Sequence, residues 1–82
     1  MTRKILYFGA TWCGMCQVVK QHLENVTEVT VEKYDVDEDE EKAEEYDITS
    51  VPTLIFLNDN NEVETTLRGA VTFQQIQENI NH

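Results

Sequence analysis

Basic residues are scarce in this chain. Six Lys and Arg stand against 16 Asp and Glu, giving a formal net charge of −10. A nucleic-acid binder needs the opposite sign, because Lys and Arg must displace counterions from the phosphates. Docking on an anionic membrane is disfavoured for the same reason. Long apolar runs are also missing, and nothing approaches the roughly 20 residues that cross a bilayer. The opening Met1-Thr2-Arg3-Lys4 is basic, but only Ile5 to Ala10 follow as an apolar stretch. That is too short and too strand-like for a signal peptide, so an intracellular, cytoplasmic location is expected. Cysteine is limited to Cys13 and Cys16. A disulfide between them closes a tiny loop and removes little chain entropy, which excludes a disulfide-stapled scaffold. The 82 residues have room for one domain, residues 1–82, whose core must use nearly every apolar side chain.

The acidity is uneven. From Asp35 to Asp47, 9 of 13 residues are Asp or Glu. A charge run of this kind reads first as a solvated helix and loop, and second as a patch selecting basic partners.

Hydrophobic periodicity divides the chain into seven elements. Ile5-Leu6-Tyr7-Phe8, ended by Gly9, fits a strand buried on both faces. Cys16, Val19, Leu23 and Val26 recur at helical spacing. Val29 to Asp35 reads as a strand of uncertain sheet face, and Asp37 to Tyr46 as a short acidic helix. Thr53 to Leu57 is a second dense apolar run, hence a central strand. Asn58-Asp59-Asn60-Asn61 is turn chemistry, leading into a half-buried strand with Val63, Thr65 and Leu67 inward. Gly69 breaks it. Thr72 and Gln75 form a capping box before a helix with an apolar stripe of Phe73, Ile76 and Ile80. The order β-α-β-α-β-β-α gives an α/β fold with a mixed four-stranded sheet: a right-handed parallel crossover first, an antiparallel hairpin last.

The two cysteines are placed unequally. Cys13 falls where a strand ends and a helix begins, and Cys16 on the buried helical stripe. Unpaired N–H groups and the dipole at a helix start favour negative charge on sulfur. Cys13 is therefore the expected nucleophile, and the shielded Cys16 the thiol that resolves a mixed disulfide. Met15, at the second helical position, is expected to point its backbone N–H at the Cys13 sulfur. The rival is a metal site. Zinc wants four ligands, and the chain adds only His22, near the polar boundary of the helix, and His82, its last residue. Two subunits sharing a metal or an iron–sulfur cluster remain the only such arrangement; no metal and no cofactor is expected. Trp12, next to Cys13, reads either as a core aromatic or as a partly exposed contact.

At this point the chain resembles the thioredoxin family. WCGMC, Trp12 to Cys16, is similar to the family's WCGPC, with Gly14 kept and Met15 in place of proline. SVPTLIFL, Ser50 to Leu57, resembles the segment whose cis-proline faces the cysteines, here Pro52. RGA, Arg68 to Ala70, resembles the turn whose glycine admits a substrate chain. KYDVD, Lys33 to Asp37, resembles the strand carrying the active-site lysine, here Lys33. The resemblance implies a thioredoxin-like fold of strand order 2-1-3-4 with three helices, without the family's first strand and helix. It implies a docking surface of Trp12, Val51, Pro52, Gly69 and Ala70. The family's buried aspartate is Tyr7 here, and Lys33 either hydrogen-bonds the Tyr7 hydroxyl or reaches solvent.

The activity so implied is dithiol–disulfide exchange on disulfide-containing protein substrates by a monomer, recharged by a thioredoxin reductase. Two rivals stand beside it. A glutaredoxin-like enzyme would use glutathione; the small size favours it, and the apolar Ala70-Val71 and the shortage of cations oppose it. A non-enzymatic accessory subunit would only grip a partner, which the presence of both cysteines opposes.

Overall fold

β1 (Lys4–Gly9) lies at the centre of the sheet, because both its faces are apolar and neither can be left in water. The computed structural model describes residues 2–80, so Met1 and His82 lie outside the described residues. The remaining elements are α1 (Gly14–Glu24), β2 (Thr30–Asp35), α2 (Glu40–Glu45), β3 (Thr53–Leu57), β4 (Val63–Arg68) and α3 (Phe73–Ile80). The strand order is β2-β1-β3-β4. β1 pairs with β2 in parallel and with β3 antiparallel, and β3 with β4 antiparallel.

Alternation along the central strands sends side chains to two clusters. Ile5, Tyr7, Leu54 and Phe56 join Cys16, Val19 and Leu23 of α1 and Ile76 and Ile80 of α3. Leu6, Phe8, Ile55 and Leu57 face the other way, toward Tyr34, Ala43 and Tyr46. Each fully buried side chain of this size contributes about 1.5–3 kcal/mol. β2 is split between the clusters: Val31 packs on the first, while Tyr34 stacks on Phe8 with ring centroids 5.3 Å apart. That split is why its face was ambiguous from sequence.

Four details differ from the sequence expectation. The first helix stops at Glu24, capped at Asn25, although Val26 beyond it is still buried. α2 begins at Glu40, not Asp37. The Asp35 carboxylate instead accepts from the N–H groups of Asp37 and Glu38, forming a turn that delays the helix. Val63 is exposed, because a bulge between Phe56 and Leu57 pairs Thr65 and then Val63, breaking the alternation. Phe73 is 37% exposed and lies outside the core: at the first position of α3 it precedes the turns that pack, and Val71 before the helix is buried instead.

Candidate active site

The cysteines stand where β1 gives way to α1. Cys13 is the N-cap of α1, with extended backbone, and Cys13 N–H reaches back to Ala10 O at 3.2 Å. Its sulfur accepts a hydrogen bond from Cys16 N–H at 3.2 Å. This corrects the expectation for Met15: the sulfur caps the third helical N–H, as N-cap groups do, and not the second. Met15 itself is exposed, and Gly14 beside it is exposed as well.

Both cysteines are free thiols, but in different surroundings. Cys13 is half-buried; Cys16 is 0% exposed, between β1 and α1. Burial pushes the Cys16 thiol up, and the neighbouring Cys13 adds to this. A backbone hydrogen bond from Ala10 and the Tyr7 hydroxyl pull it the other way. Tyr7 lies beneath Cys16, and its hydroxyl donates to Cys16 O at 3.0 Å. Burial first, and then the negative charge of a Cys16 thiolate, hold the Tyr7 phenol far above the ordinary tyrosine range. Lys33 is the register partner of Tyr7 across β1 and β2, yet it is exposed. Of the two alternatives for Lys33, the structure has the second: Lys33 reaches solvent and makes no hydrogen bond with the Tyr7 hydroxyl. Both residues border a cleft of about 240 Å³, with Lys20 and Asp35.

Three loops meet around Cys13. The Val51–Pro52 peptide bond is cis, and Pro52 is buried while Val51 is half-buried. Pro52 O accepts from Gly69 N–H at 3.0 Å, which ties the proline loop to the turn after β4. Gly69 has φ +84°, a backbone conformation that suits glycine. Trp12 is 70% exposed and shares a cavity of about 190 Å³ with Ser50 and Val51. On the other side, Gly14, Met15 and Val18 share a shallow apolar groove with the exposed Ala70 and with Val71. The structure thus gathers Trp12, Cys13, Gly14, Met15, Cys16, Val51, Pro52, Gly69 and Ala70 at one end of the sheet. Tyr7 is beneath them and Lys33 is off to the side. Sequence reasoning missed Asp37, whose carboxylate accepts from Trp12 Nε1 at 2.9 Å and fixes the indole. It also missed Gly9, over which the Tyr7 ring lies. No local signal marks the first, since its partners are 25 positions apart.

Comparison with known proteins agrees with this geometry. A family model described as Thioredoxin matches residues 2–82. A thioredoxin of Chlamydia pneumoniae is 43% identical over 60 residues, covering 68% of this chain and 59% of that protein. A thioredoxin of Bacillus subtilis (strain 168) is 37% identical over 79 residues, 90% of this chain and 75% of that protein. Among solved structures, a mutant thioredoxin from Halobacterium salinarum superimposes with a TM-score of 0.88 at 31% identity. That match covers 95% of this chain and 71% of the other. The oxidized form of mitochondrial thioredoxin 3 from Saccharomyces cerevisiae gives 0.81 at 29% identity, covering 95% and 76%. The chain spans less than two thirds of the chlamydial relative's length.

Proposed function

The chain belongs to the thioredoxin family, and from that premise we propose that it is a thiol–disulfide oxidoreductase that reduces protein disulfides through the Cys13–Cys16 couple. The observation that carries this reading is the inequality of the two thiols: one capping a helix at a half-open surface, the other fully buried behind it. Cys13 as thiolate attacks the substrate disulfide. The Cys13–substrate bond forms, the substrate S–S bond breaks, and the first substrate thiolate leaves and takes a proton from water. Cys16 then gives its proton to water and attacks Cys13. The Cys13–Cys16 disulfide forms and the second substrate thiolate departs. Two electrons have passed to the substrate.

Trp12, Val51, Pro52, Gly69 and Ala70 form the docking surface in this reading, with the Val51 backbone pairing to an extended substrate segment by strand addition. A thioredoxin reductase is the electron donor, the working form is a monomer, and the setting is the cytoplasm, where thiols stay reduced. Among the described residues no helix is long and apolar enough to cross a membrane. Turnover tests the assignment. The protein should reduce a disulfide-linked protein when supplied with a thioredoxin reductase and NADPH. Turnover with glutathione and glutathione reductase alone would move it to the glutaredoxin class. Unaltered function after loss of both cysteines would make it an accessory subunit.

A further inference from the structure

The residue beneath Cys16 is a phenol, and the strand is built to hold it there. Tyr7 is 4% exposed, and its hydroxyl donates to Cys16 O at 3.0 Å. Tyr7 and Cys16 are packed in one buried cluster, so the Cys16 sulfur lies near the same hydroxyl, which pulls the thiol down against the effect of burial. The hydroxyl has one proton and two acceptors close by, and a hydroxyl rotates to the better one. Gly9 is two residues along β1, on the same face. A Cβ at Gly9 would fall on the Tyr7 hydroxyl and on the ring carbons beside it. Gly9 has no positive φ, so the backbone does not call for glycine there. Glycine in a strand interior is otherwise unfavourable. The ring of Tyr7 accounts for it.

We propose that Tyr7 is a neutral hydrogen-bond donor to the Cys16 sulfur during the resolving step, and that Gly9 is the positioning residue that leaves room for it. The inference rests on the oxidoreductase reading above. With Cys16 as a thiol, the hydroxyl stays on the Cys16 carbonyl. When the Cys16 proton leaves, the hydroxyl turns to the sulfur, because a charged acceptor forms the stronger bond. Tyr7 does not take that proton: burial first, and then the Cys16 thiolate and Asp35 nearby, hold its phenol protonated well above the ordinary tyrosine range. Water receives the proton. The open cleft that Tyr7 borders with Lys20, Lys33 and Asp35 brings water to this side of the site. The group facing Cys16 is thus a donor that never changes charge.

One rapid-mixing experiment reads both chemical steps. The reduced protein is mixed with a chromogenic nitroaryl disulfide. Attack by Cys13 releases the first aryl thiolate, and attack by Cys16 on the adduct releases the second. Tyr7→Phe keeps the ring and removes only the donor. It is expected to lower the ratio of the second rate constant to the first by roughly threefold to tenfold, the range of one hydrogen bond. Gly9→Ala should lower that ratio similarly, and adding it to Tyr7→Phe should lower it no further. An unchanged ratio in Tyr7→Phe, or equal slowing of both phases, overturns the proposal and leaves a packing role. Absence of the first phase in the wild-type protein overturns the oxidoreductase reading itself, and the proposal with it.

Discussion

At the scale of single residues, much of the cysteine site was legible in spacing alone. Steps of three and four from Cys16 to Val19 and Leu23 put the second sulfur on the buried stripe, and the end of an apolar strand put Cys13 at a helix start. The partners that complete the site were not legible. Asp37 is 25 positions from Trp12, and nothing in the chain around either residue joins them. Gly9 looks like a strand terminator, and only the path of the Tyr7 ring shows its other use. The bond to the Cys13 sulfur expected of Met15 N–H is made by Cys16 N–H. Replacement of Met15 by proline therefore removes no donor from the Cys13 sulfur. Equilibrated against glutathione buffers, Met15→Pro should shift the reduction potential by less than about 30 mV, the equivalent of about 1.4 kcal/mol. A larger fall would show that the Met15 N–H, or the backbone it fixes, supports the thiolate after all.

At the scale of elements, local chemistry set where segments begin and tertiary pairing set how they pack. The Thr72–Gln75 signature was read from sequence, and the structure contains it in reciprocal form. Gln75 N–H donates to Thr72 Oγ1 at 3.1 Å, and Thr72 N–H donates to Gln75 Oε1 at 2.9 Å. Thr72→Ala should lower stability by about 1 kcal/mol, within the 0.5–2 kcal/mol typical of lost N-caps. Urea unfolding measures it, and a change near zero would mean that α3 is held by Ile76 and Ile80 alone. α2 starts later than periodicity implies because Asp35 offers its carboxylate to the turn before the helix, a competition invisible to periodicity. The acidic α2 still docks. Ala43 and Tyr46 pack on the Phe8 cluster, and the Lys42 ammonium lies over both tyrosine rings, 5.7 Å from Tyr34 and 5.6 Å from Tyr46. The exposure of Val63 follows from a bulge, and a single sequence carries no mark of an extra residue in a ladder.

At the scale of the molecule, the central place of β1 and β3 and the two-sided core followed from two dense apolar runs, which only a central position in a sheet can satisfy, while the full strand order was implied by the family resemblance. The response to alkali is a property of the whole fold. Cys16, Tyr7 and Tyr34 all titrate above their ordinary values of 9.0 for the thiol and 10.0 for the phenols. For Tyr34 the hydrogen bond to Glu32 leads, and its phenol is pushed up to about 12. In each case the folded state holds the proton more tightly than the unfolded chain. Their contributions are complete below the unfolded values and are lost as pH rises through the folded ones. Stability should therefore decline from about pH 9 upward. In Tyr34→Phe the part of the decline between pH 10.0 and about 12 should be shallower. Urea midpoints across this range test it, and a flat profile to pH 12 would contradict the placement of these groups.

The central claim is that Cys13 attacks and Cys16 releases. Trapping measures it most directly. Cys16→Ser, incubated with a disulfide-containing protein, should accumulate a mixed disulfide that mass spectrometry locates on Cys13, while Cys13→Ser should form none at a comparable rate. An adduct forming as fast on Cys16 of the Cys13→Ser variant, or no adduct with either, would contradict the account.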